Sequence, residues 1–436
     1  MRYTSLFLCA LAACSRPPAV ELSDPAPVSA PTDVGAAPIL AVGPGGTQAA
    51  AWVSAPNGGD DGRLFVSIDG APPVEVRDSL GPIEAHGEAP PKLAYGRRGA
   101  LHALYVVGKV VPGERWPRSA LRHASSADGG RTWSAPTSVV APTGAAGAGP
   151  GDGPFGSYNF HALYAAPAGA LYAAWLAADG DKSGTYVARS TDGGRTWAAP
   201  ARVSAGESCP CCRTALASGG GDTVYVAWRQ VFPVDSGTVR DVVVARSADG
   251  GTTWQEPVRV HADDWVFDGC PHAGPSLQVD GAGRVHVAWW TGKPGAAGVY
   301  YAHSADGARS FSEPVALGVA EFSRPAHVQL ALGDGGLVAA AWDDGTLRVP
   351  QVVLRVSRDG GESFGTPQAV SAPGRAATFP VLSLSGRRMT VAWAEQSAEA
   401  AEHAGDGHPD MRDPKATMGL PKVGENQVLA RTGSVE

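Results

Sequence analysis

The stretch "RSTDGGRTW", residues 189–197, recurs along the chain and decides its fold. Further copies are "SSADGGRTW" from residue 125, "RSADGGTTW" from residue 246, "HSADGARSF" from residue 303 and "VSRDGGESF" from residue 356. Successive copies are 64, 57, 57 and 53 residues apart. Their central aspartates are Asp128, Asp192, Asp249, Asp306 and Asp359. A degenerate copy, "VSIDG", contains Asp69. A repeat of this period predicts an array of similar small units.

A second periodic feature is a short apolar strand that ends near an aromatic residue. The aromatic positions are Trp52, Tyr105, Trp175, Trp228, Trp289, Trp342 and Trp393. The alternation around them, as in "RVHVAWW" from residue 284, is typical of buried β-strands. With 57 Gly, 36 Pro and only 18% charged residues, the composition also favours a turn-rich, all-β protein.

Each unit contains four predicted strands, A to D, with the repeated motif between strands C and D. One unit has strand A at "PSLQVD" (275–280), strand B at 284–290, strand C at "GVYYAHS" (298–304) and strand D at "SEPVALG" (312–318). Four strands per unit predict a β-propeller blade, and the seven B strands favour seven blades. The seventh unit ends after strand C. We expect "AVELS" (19–23) to supply its fourth strand and close the ring.

The motif S-x-D-x-G-x-[ST]-[WF] resembles the Asp-box, or BNR repeat, of sialidases and related β-propellers. The resemblance implies that the boxes are structural turns on the side of the propeller away from the active site, and it offers the six blades of sialidases as the alternative. It also implies an alternative function, that of an exo-α-sialidase or related glycoside hydrolase acting on terminal sugars. Such enzymes use three arginines to hold the sugar carboxylate, a Tyr nucleophile paired with a Glu, and an Asp acid/base.

The residues that fit this catalytic pattern by position are scattered along the chain. They are Arg229, Arg240, Arg324, Tyr158 and Glu395. We expect Arg229, Arg240 and Asp241 at the ends of the loop between strands B and C of one blade. The first blade, "APILAVG" (37–43), lacks the arginine of the family's F/Y-R-I-P segment. Whether the protein is an enzyme therefore stays open.

The segment "ESCPCCRTALA" (207–217) brings three of the six cysteines together, Cys209, Cys211 and Cys212. The segment "GCPHAGP", from residue 269, adds Cys270 and His272. Both segments lie in D-to-A connections of consecutive predicted blades, so we expect them to be neighbours on the loop face. Three interpretations remain: a thiophilic metal site for copper or zinc, disulfides that pin adjacent blades, or a reactive thiol.

The N-terminus predicts export. Residues 1–13 combine Arg2 with a short apolar run, as in a secretory signal peptide. "LAAC" (11–14) resembles the lipobox of bacterial lipoproteins, which implies a lipid on Cys14. The following Ser15 resembles lipoproteins sorted to an outer membrane. We therefore expect a lipid-anchored protein that faces the periplasm or the cell surface.

The expected organisation is an anchor, linker and closing strand over residues 14–36 and a single propeller over 37–436. A polar insertion at about 395–424 contains His403, His408, Met411 and Met418. The net charge of −7 argues against nucleic acid as a partner, because nucleic acid is bound through clustered Lys and Arg. We expect a monomer whose ligand is a glycan or a metal ion.

Overall fold

Seven antiparallel sheets form a β-propeller in the computed structural model of the protein. The structure describes residues 20–30, 34–55, 61–114, 117–140, 153–179, 182–398 and 426–435. Blade 1 contains β3 (Val34–Val42), β4 (Gln48–Ala55), β5 (Arg63–Ile68) and β6 (Val74–Val76). Blade 2 contains β7 (Lys92–Tyr95), β8 (Leu101–Lys109), β9 (Arg118–Ser126) and β10 (Thr137–Ser138). Blade 3 contains β11 (Tyr158–Ala165), β12 (Leu171–Asp179), β13 (Lys182–Ser190) and β14 (Ala201–Arg202).

The remaining blades repeat this four-strand order. Blade 4 contains β15 (Ala215–Ser218), β16 (Val224–Val234), β17 (Gly237–Ser247) and β18 (Val258–Arg259). Blade 5 contains β19 (Ser276–Val279), β20 (Val285–Thr291), β21 (Ala297–Ser304) and β22 (Val315–Ala320). Blade 6 contains β23 (Gln329–Leu332), β24 (Val338–Asp343), β25 (Val352–Ser357) and β26 (Gln368–Ala369). Blade 7 contains β27 (Arg375–Ser385), β28 (Arg388–Ser397) and β29 (Asn426–Val435).

The N-terminal segment closes blade 7, and the prediction of seven blades is confirmed. Strand β1 (Val20–Leu22) pairs with the outer edge of β29, and β2 (Ala26–Pro27) pairs further along the same strand. Gln368 of blade 6 donates a hydrogen bond from Nε2 to the Val20 carbonyl (2.7 Å) and accepts one from the Val20 N–H (3.2 Å). The closing strand is therefore held to its own blade and to the preceding one.

The core lies between the blades. The seven aromatic residues that mark the B strands are each at most 2% exposed, and those from Tyr105 onwards pack into clusters shared by two neighbouring blades. His102 and His286, at other B-strand positions, are also buried. Their Nδ1 atoms lie 3.2 Å from His123 Nε2 and 2.6 Å from Tyr301 Oη, respectively. Both are packing residues, because their rings are enclosed and paired with aromatic neighbours.

The Asp-box turns follow strand C in blades 2 to 6. In one of them, Asp192 accepts hydrogen bonds from Ser190 Oγ (2.9 Å), Thr196 N–H (3.0 Å) and Thr196 Oγ1 (2.7 Å). Gly193 and Gly194 take φ values of 78° and 84°, which favour glycine. The hydrogen bonds from Thr196 lower the pKa of Asp192 from 3.8 to about 2. The box is a structural turn whose carboxylate accepts three hydrogen bonds from its own loop.

One detail of the sequence analysis is wrong. Arg229, Arg240 and Asp241 do not lie at the ends of a loop, because β16 and β17 form one long hairpin that pairs Arg240 with Val231 and Asp241 with Gln230. Its strands are rich in Val, and Gly237 at φ 136° permits a tight turn. The two strands therefore stay paired almost to the turn of the hairpin, up to Val234 and Gly237.

Several predicted features lie outside the described residues. These are the signal peptide with Cys14 and most of the insertion, including His403, His408, Met411 and Met418. Among the residues that are described, no helix has both the length and the apolar character needed to cross a bilayer.

Candidate functional site: a thiol and imidazole cluster

The backbone around Cys209 is fixed by the edge of blade 4. Cys209 N–H donates to the Arg229 carbonyl, and Val231 N–H donates to the Glu207 carbonyl, both at 2.8 Å. The segment therefore runs along β16 and then turns at Pro210, whose ring suits a turn. After the turn, Thr214 N–H donates to the Phe160 carbonyl of blade 3 at 2.9 Å. The turn thereby brings the thiols of Cys209, Cys211 and Cys212 close together.

The three sulfurs of Cys209, Cys211 and Cys212 form a small triangle. Their Sγ atoms are 3.5 Å (209 to 211), 3.8 Å (209 to 212) and 4.0 Å (211 to 212) apart. All three residues are buried, with Val231, Phe160 and Cys270 packed around them. A shell of this composition offers the sulfurs few other polar partners and excludes water.

Cys270 and His272 join the cluster from the connection into blade 5. The ligand atoms of Cys211, Cys270 and His272 lie within 4.8 Å of one another, and both added residues are partly exposed. The two cysteine-bearing connections are therefore in contact in the structure, as the sequence predicts. The four cysteines are free thiols here, so the disulfide interpretation is not confirmed.

Two arginines place positive charge beside the sulfurs. Hydrogen bonds from Cys211 and Cys212 lower the pKa of Cys209, and the charge of Arg240 lowers it further. A hydrogen bond from Cys211, together with Arg240, lowers the pKa of Cys270. Burial raises the pKa of Cys212 to about 12, although the nearby Arg229 opposes this. Cys209 and Cys270 are thus the thiols most ready to ionise.

Glu88 ties the two cysteine-bearing connections together. Its Oε2 accepts hydrogen bonds from Arg213 N–H (3.2 Å) and Gly274 N–H (2.8 Å), the first directly after Cys212 and the second two residues after His272. Its Oε1 lies 3.3 Å from Arg213 Nη1. Glu88 is only 1% exposed. A single buried carboxylate therefore sets the relative position of both connections.

His327 and Asp343 of blade 6 support His272. His327 Nδ1 lies 2.6 Å from Asp343 Oδ2, and its Nε2 lies 3.1 Å from the His272 carbonyl. Burial opposes protonation of His327, but Asp343 more than offsets it, so the pKa of His327 is raised. Both neighbours of the ring are acceptor oxygens, so its protonated form donates to both of them. It thereby holds His272 at φ 47°, a left-handed conformation that is uncommon for residues other than glycine.

The residues that match the sialidase pattern are not brought together. Arg229 donates from Nε to the Ala273 carbonyl (2.8 Å), from Nη1 to the Arg240 carbonyl (2.7 Å) and from Nη2 to the Trp290 carbonyl. Arg324 is exposed and donates to the Arg348 carbonyl. The Arg229 guanidinium is therefore hydrogen-bonded to three backbone carbonyls rather than arranged with the other arginines.

The predicted nucleophile pair is also apart. Tyr158 packs in the core between blades 2 and 3, with its ring centroid 6.5 Å from that of Trp175. Glu395 lies in blade 7, where it accepts hydrogen bonds from Arg375 Nε (2.8 Å) and Trp393 Nε1 (3.2 Å). Of the catalytic candidates, Arg229 and Arg240 alone adjoin the cluster, where they serve as its positive charges.

Sequence reasoning missed Glu88 and Asp343, and a usable signal existed for Glu88. "HGEAP" (86–90) precedes the A strand of blade 2, the position that "CPCCR" and "CPHAG" occupy in blades 4 and 5. Polar residues at this position in neighbouring blades contact one another in the structure. Asp343 had no such signal, because it ends a B strand.

Comparison with known proteins agrees with the fold. Residues 83–265 match the sequence profile of the BNR repeat-like domain. No curated protein shows significant similarity to the chain. The protein is a seven-bladed β-propeller of which residues 83–265 match BNR repeats, and the resemblance drawn from the Asp-boxes is confirmed at that level.

Solved structures show the same architecture at low sequence identity. A protein of unknown function from Dyadobacter fermentans is 13% identical, with a TM-score of 0.55 over 96% of this chain and 100% of that one. The polysaccharide lyase Uly1 is 11% identical, with a TM-score of 0.55 over 95% and 100%. An ulvan lyase bound to a GlcA–Rha3S oligosaccharide is 16% identical, with a TM-score of 0.51 over 84% and 90%. These similarities establish the fold alone. The function has to be inferred from the residues of the site.

Proposed function

We propose that the protein binds a thiophilic, copper-type metal ion through the thiol cluster on its loop face. The observation that carries this proposal is the triangle of buried sulfurs at 3.5, 3.8 and 4.0 Å. An ion at the centre of this triangle would lie about 2.2 Å from each sulfur. A metal–thiolate bond is typically about 2.3 Å long. The sulfurs need almost no movement to bind it.

The donor set favours Cu(I) over zinc. Structural zinc is bound by four ligands in a tetrahedron, whereas thiolates select Cu(I), which accepts a trigonal set. Among the described residues, Cys209, Cys211 and Cys212 make a set of three, and no fourth Cys, His, Asp or Glu lies within 4.8 Å of all three sulfurs. Three converging sulfurs without a fourth ligand fit the monovalent ion better.

Binding replaces thiol protons by the metal. Cys209 loses its proton most readily, and Cys212, whose pKa burial raises to about 12, releases its proton to solvent only when the ion takes its place on the sulfur. Arg240 and Arg229 offset part of the negative charge that forms. The surrounding Val231 and Phe160 keep water away from the sulfurs, which protects Cu(I) from oxidation.

The proposed setting is an exported lipoprotein. The "LAAC" segment with Cys14 supports attachment to a membrane through lipid, and Ser15 supports the outer membrane as its destination. Metabolic labelling with a fatty-acid probe should mark the protein, and Cys14→Ser should abolish the label. Labelling that survives Cys14→Ser would contradict this assignment.

Metal binding is tested with the reduced chain under anaerobic conditions. Cu(I) is titrated against a chromogenic copper chelator, and the affinity is compared with that of a Cys209→Ser/Cys212→Ser double variant. Cys14→Ser is the matched control, since it removes one cysteine that is not part of the cluster. We expect chelator-resistant copper in the parent and the control, and its loss in the double variant. Equal copper retention by all three would overturn the proposal.

A further inference from the structure

Two sets of metal-binding residues meet at Cys211. One set is Cys209, Cys211 and Cys212, and the other is Cys211, Cys270 and His272. Within each set every pair of ligand atoms lies within 4.8 Å, and the two sets do not merge into one. A single tetrahedral ion would require four donors at mutually similar distances. The cluster therefore has the arrangement of two three-ligand sites with one shared sulfur.

We infer that the cluster is a dinuclear Cu(I) centre in which the Cys211 thiolate bridges two ions. One ion is bound by Cys209, Cys211 and Cys212, and the second by Cys211, Cys270 and His272. This inference rests on the proposed function and specifies its stoichiometry and ligands. A thiolate sulfur has lone pairs enough to bind two metals, and Cys211 lies between both sets.

The charges of the site support two monovalent ions. Four thiolates carry four negative charges in a largely buried cluster, and such charge is costly unless it is balanced. Arg229 acts on Cys212, and Arg240 acts on Cys209 and Cys270, which supplies two positive charges. Two Cu(I) ions supply the other two. With four thiolates, two divalent ions would leave the cluster positive, and a single Cu(I) together with the two arginines balances the thiolates only when Cys270 keeps its proton.

The second site is built differently from the first. Cys209, Cys211 and Cys212 are at most 5% exposed, whereas Cys270 and His272 are partly exposed. The second ion is therefore the one that reaches solvent, and a copper ion entering from outside meets Cys270 and His272 first. Passage inward then requires only a change of partner at the shared Cys211. The two sites form a path from the surface to the buried triangle.

His86 lies nearby but is not a ligand. Its ring centroid is 6.4 Å from that of His272, and its Nδ1 accepts a hydrogen bond from the Glu88 N–H at 3.0 Å. Because Nδ1 accepts that hydrogen bond, the hydrogen of the neutral ring lies on Nε2. Both ring nitrogens thus lack a free lone pair. His272 is the imidazole that completes the second site.

The test is the number of Cu(I) ions bound by the full chain. Metal-free, reduced protein is titrated anaerobically with Cu(I), desalted, and measured by elemental analysis. The parent should retain two ions per chain, matching the two ligand sets, and Cys270→Ser and His272→Ala should each retain one. X-ray absorption should show copper–copper scattering in the parent and lose it in both variants. Thermal unfolding of the metal-free variants checks that they remain folded.

The outcomes separate this inference from the proposed function. One ion in the parent and one in both variants would overturn the dinuclear centre and leave the buried triangle as the metal site. No retained ion in the parent would overturn both. Two ions in the parent without copper–copper scattering would show separate sites and overturn the bridge. Because Cys270 is partly exposed, Cys270→Ser supplies a folded variant if His272→Ala is unstable.

Discussion

The Asp-box turns and the thiol cluster are both clusters of potential metal ligands, yet only one of them has ligand capacity to spare. In the turns, Asp128, Asp192 and their equivalents are bound by the hydroxyl and N–H groups of their own turn. The sulfurs of the cluster contact chiefly one another and apolar side chains. A repeated carboxylate that accepts several hydrogen bonds from its own loop is a structural element, whereas converging soft donors with chiefly apolar neighbours and adjacent positive charge form a candidate site.

The largest expected effect is on Cu(I) affinity, and it appears when one substitution in the thiol cluster is compared with one in an Asp-box turn. Cys211→Ser removes the sulfur shared by both ligand sets. We expect Cu(I) affinity to fall by more than the roughly 10–100-fold that loss of an outer partner of a metal ligand causes. Asp192→Asn, in a turn without ligand capacity, should leave Cu(I) affinity unchanged. Competition with a chromogenic chelator measures both.

The matched control for this comparison is Ser190→Ala, which removes one hydrogen bond to the same carboxylate but keeps its negative charge. It should also bind copper as the parent does. Loss of copper affinity in either turn variant, with the fold retained, would mean that the two regions do not differ in the way the hydrogen bonds indicate.

The second effect concerns the support of His272. Asp343→Asn removes the charge that raises the pKa of His327, so the hydrogen bond from His327 to the His272 carbonyl weakens. We expect Cu(I) affinity to fall by about tenfold, at the lower end of the range for such partners. Asp334→Asn, an exposed aspartate of the same blade, is the control. Without Asp343, burial lowers the pKa of His327, so the change of affinity linked to its protonation should move to lower pH, and an unchanged pH profile would reduce Asp343 to a packing residue.

Much of the fold was predictable because repetition supplies independent copies of the same signal. Five boxes and seven B strands fixed the blade count, and the incomplete seventh unit predicted the pairing of Val20–Leu22 with β29. The same repeat also predicted that the cysteines lie in the connections between strand D of one blade and strand A of the next. Cys212 and Cys270 are 58 residues apart, and only the equivalence of blade connections predicts that they meet.

What the sequence did not predict depends on side-chain geometry across blades. Arg229 matched the pattern of a catalytic arginine, but its guanidinium is bound by the carbonyls of Ala273, Arg240 and Trp290. Glu88 lies more than 120 residues before Arg213, yet its carboxylate joins both cysteine-bearing connections. Such partners are set by how neighbouring blades pack, and no local spacing encodes them.

The third effect is on stability rather than binding. Asp192→Asn keeps an acceptor for the Thr196 N–H but loses the charged oxygen that accepts from Thr196 Oγ1. Because the turn is exposed, solvent screening limits the cost, and we expect a loss of about 1 kcal/mol in the free energy of unfolding. Denaturant titration measures it. The matched substitution Asp334→Asn should change the unfolding free energy by less, and equal losses would deny the box its structural role.

The smallest effect is the acid dependence of the turns. The pKa of Asp192 is lowered from 3.8 in the unfolded chain to about 2 in the fold by the hydrogen bonds from Thr196. A lowered carboxyl pKa stabilises the fold above the unfolded value, and this contribution is lost as the pH falls through the folded value. Stability should therefore decline between about pH 4 and pH 2, and the decline should be shallower in Asp192→Asn. Urea unfolding at several pH values measures the two slopes. Identical slopes would show that the carboxylate is not held by its turn, and the distinction between saturated carboxylates and available thiols would lose its physical basis.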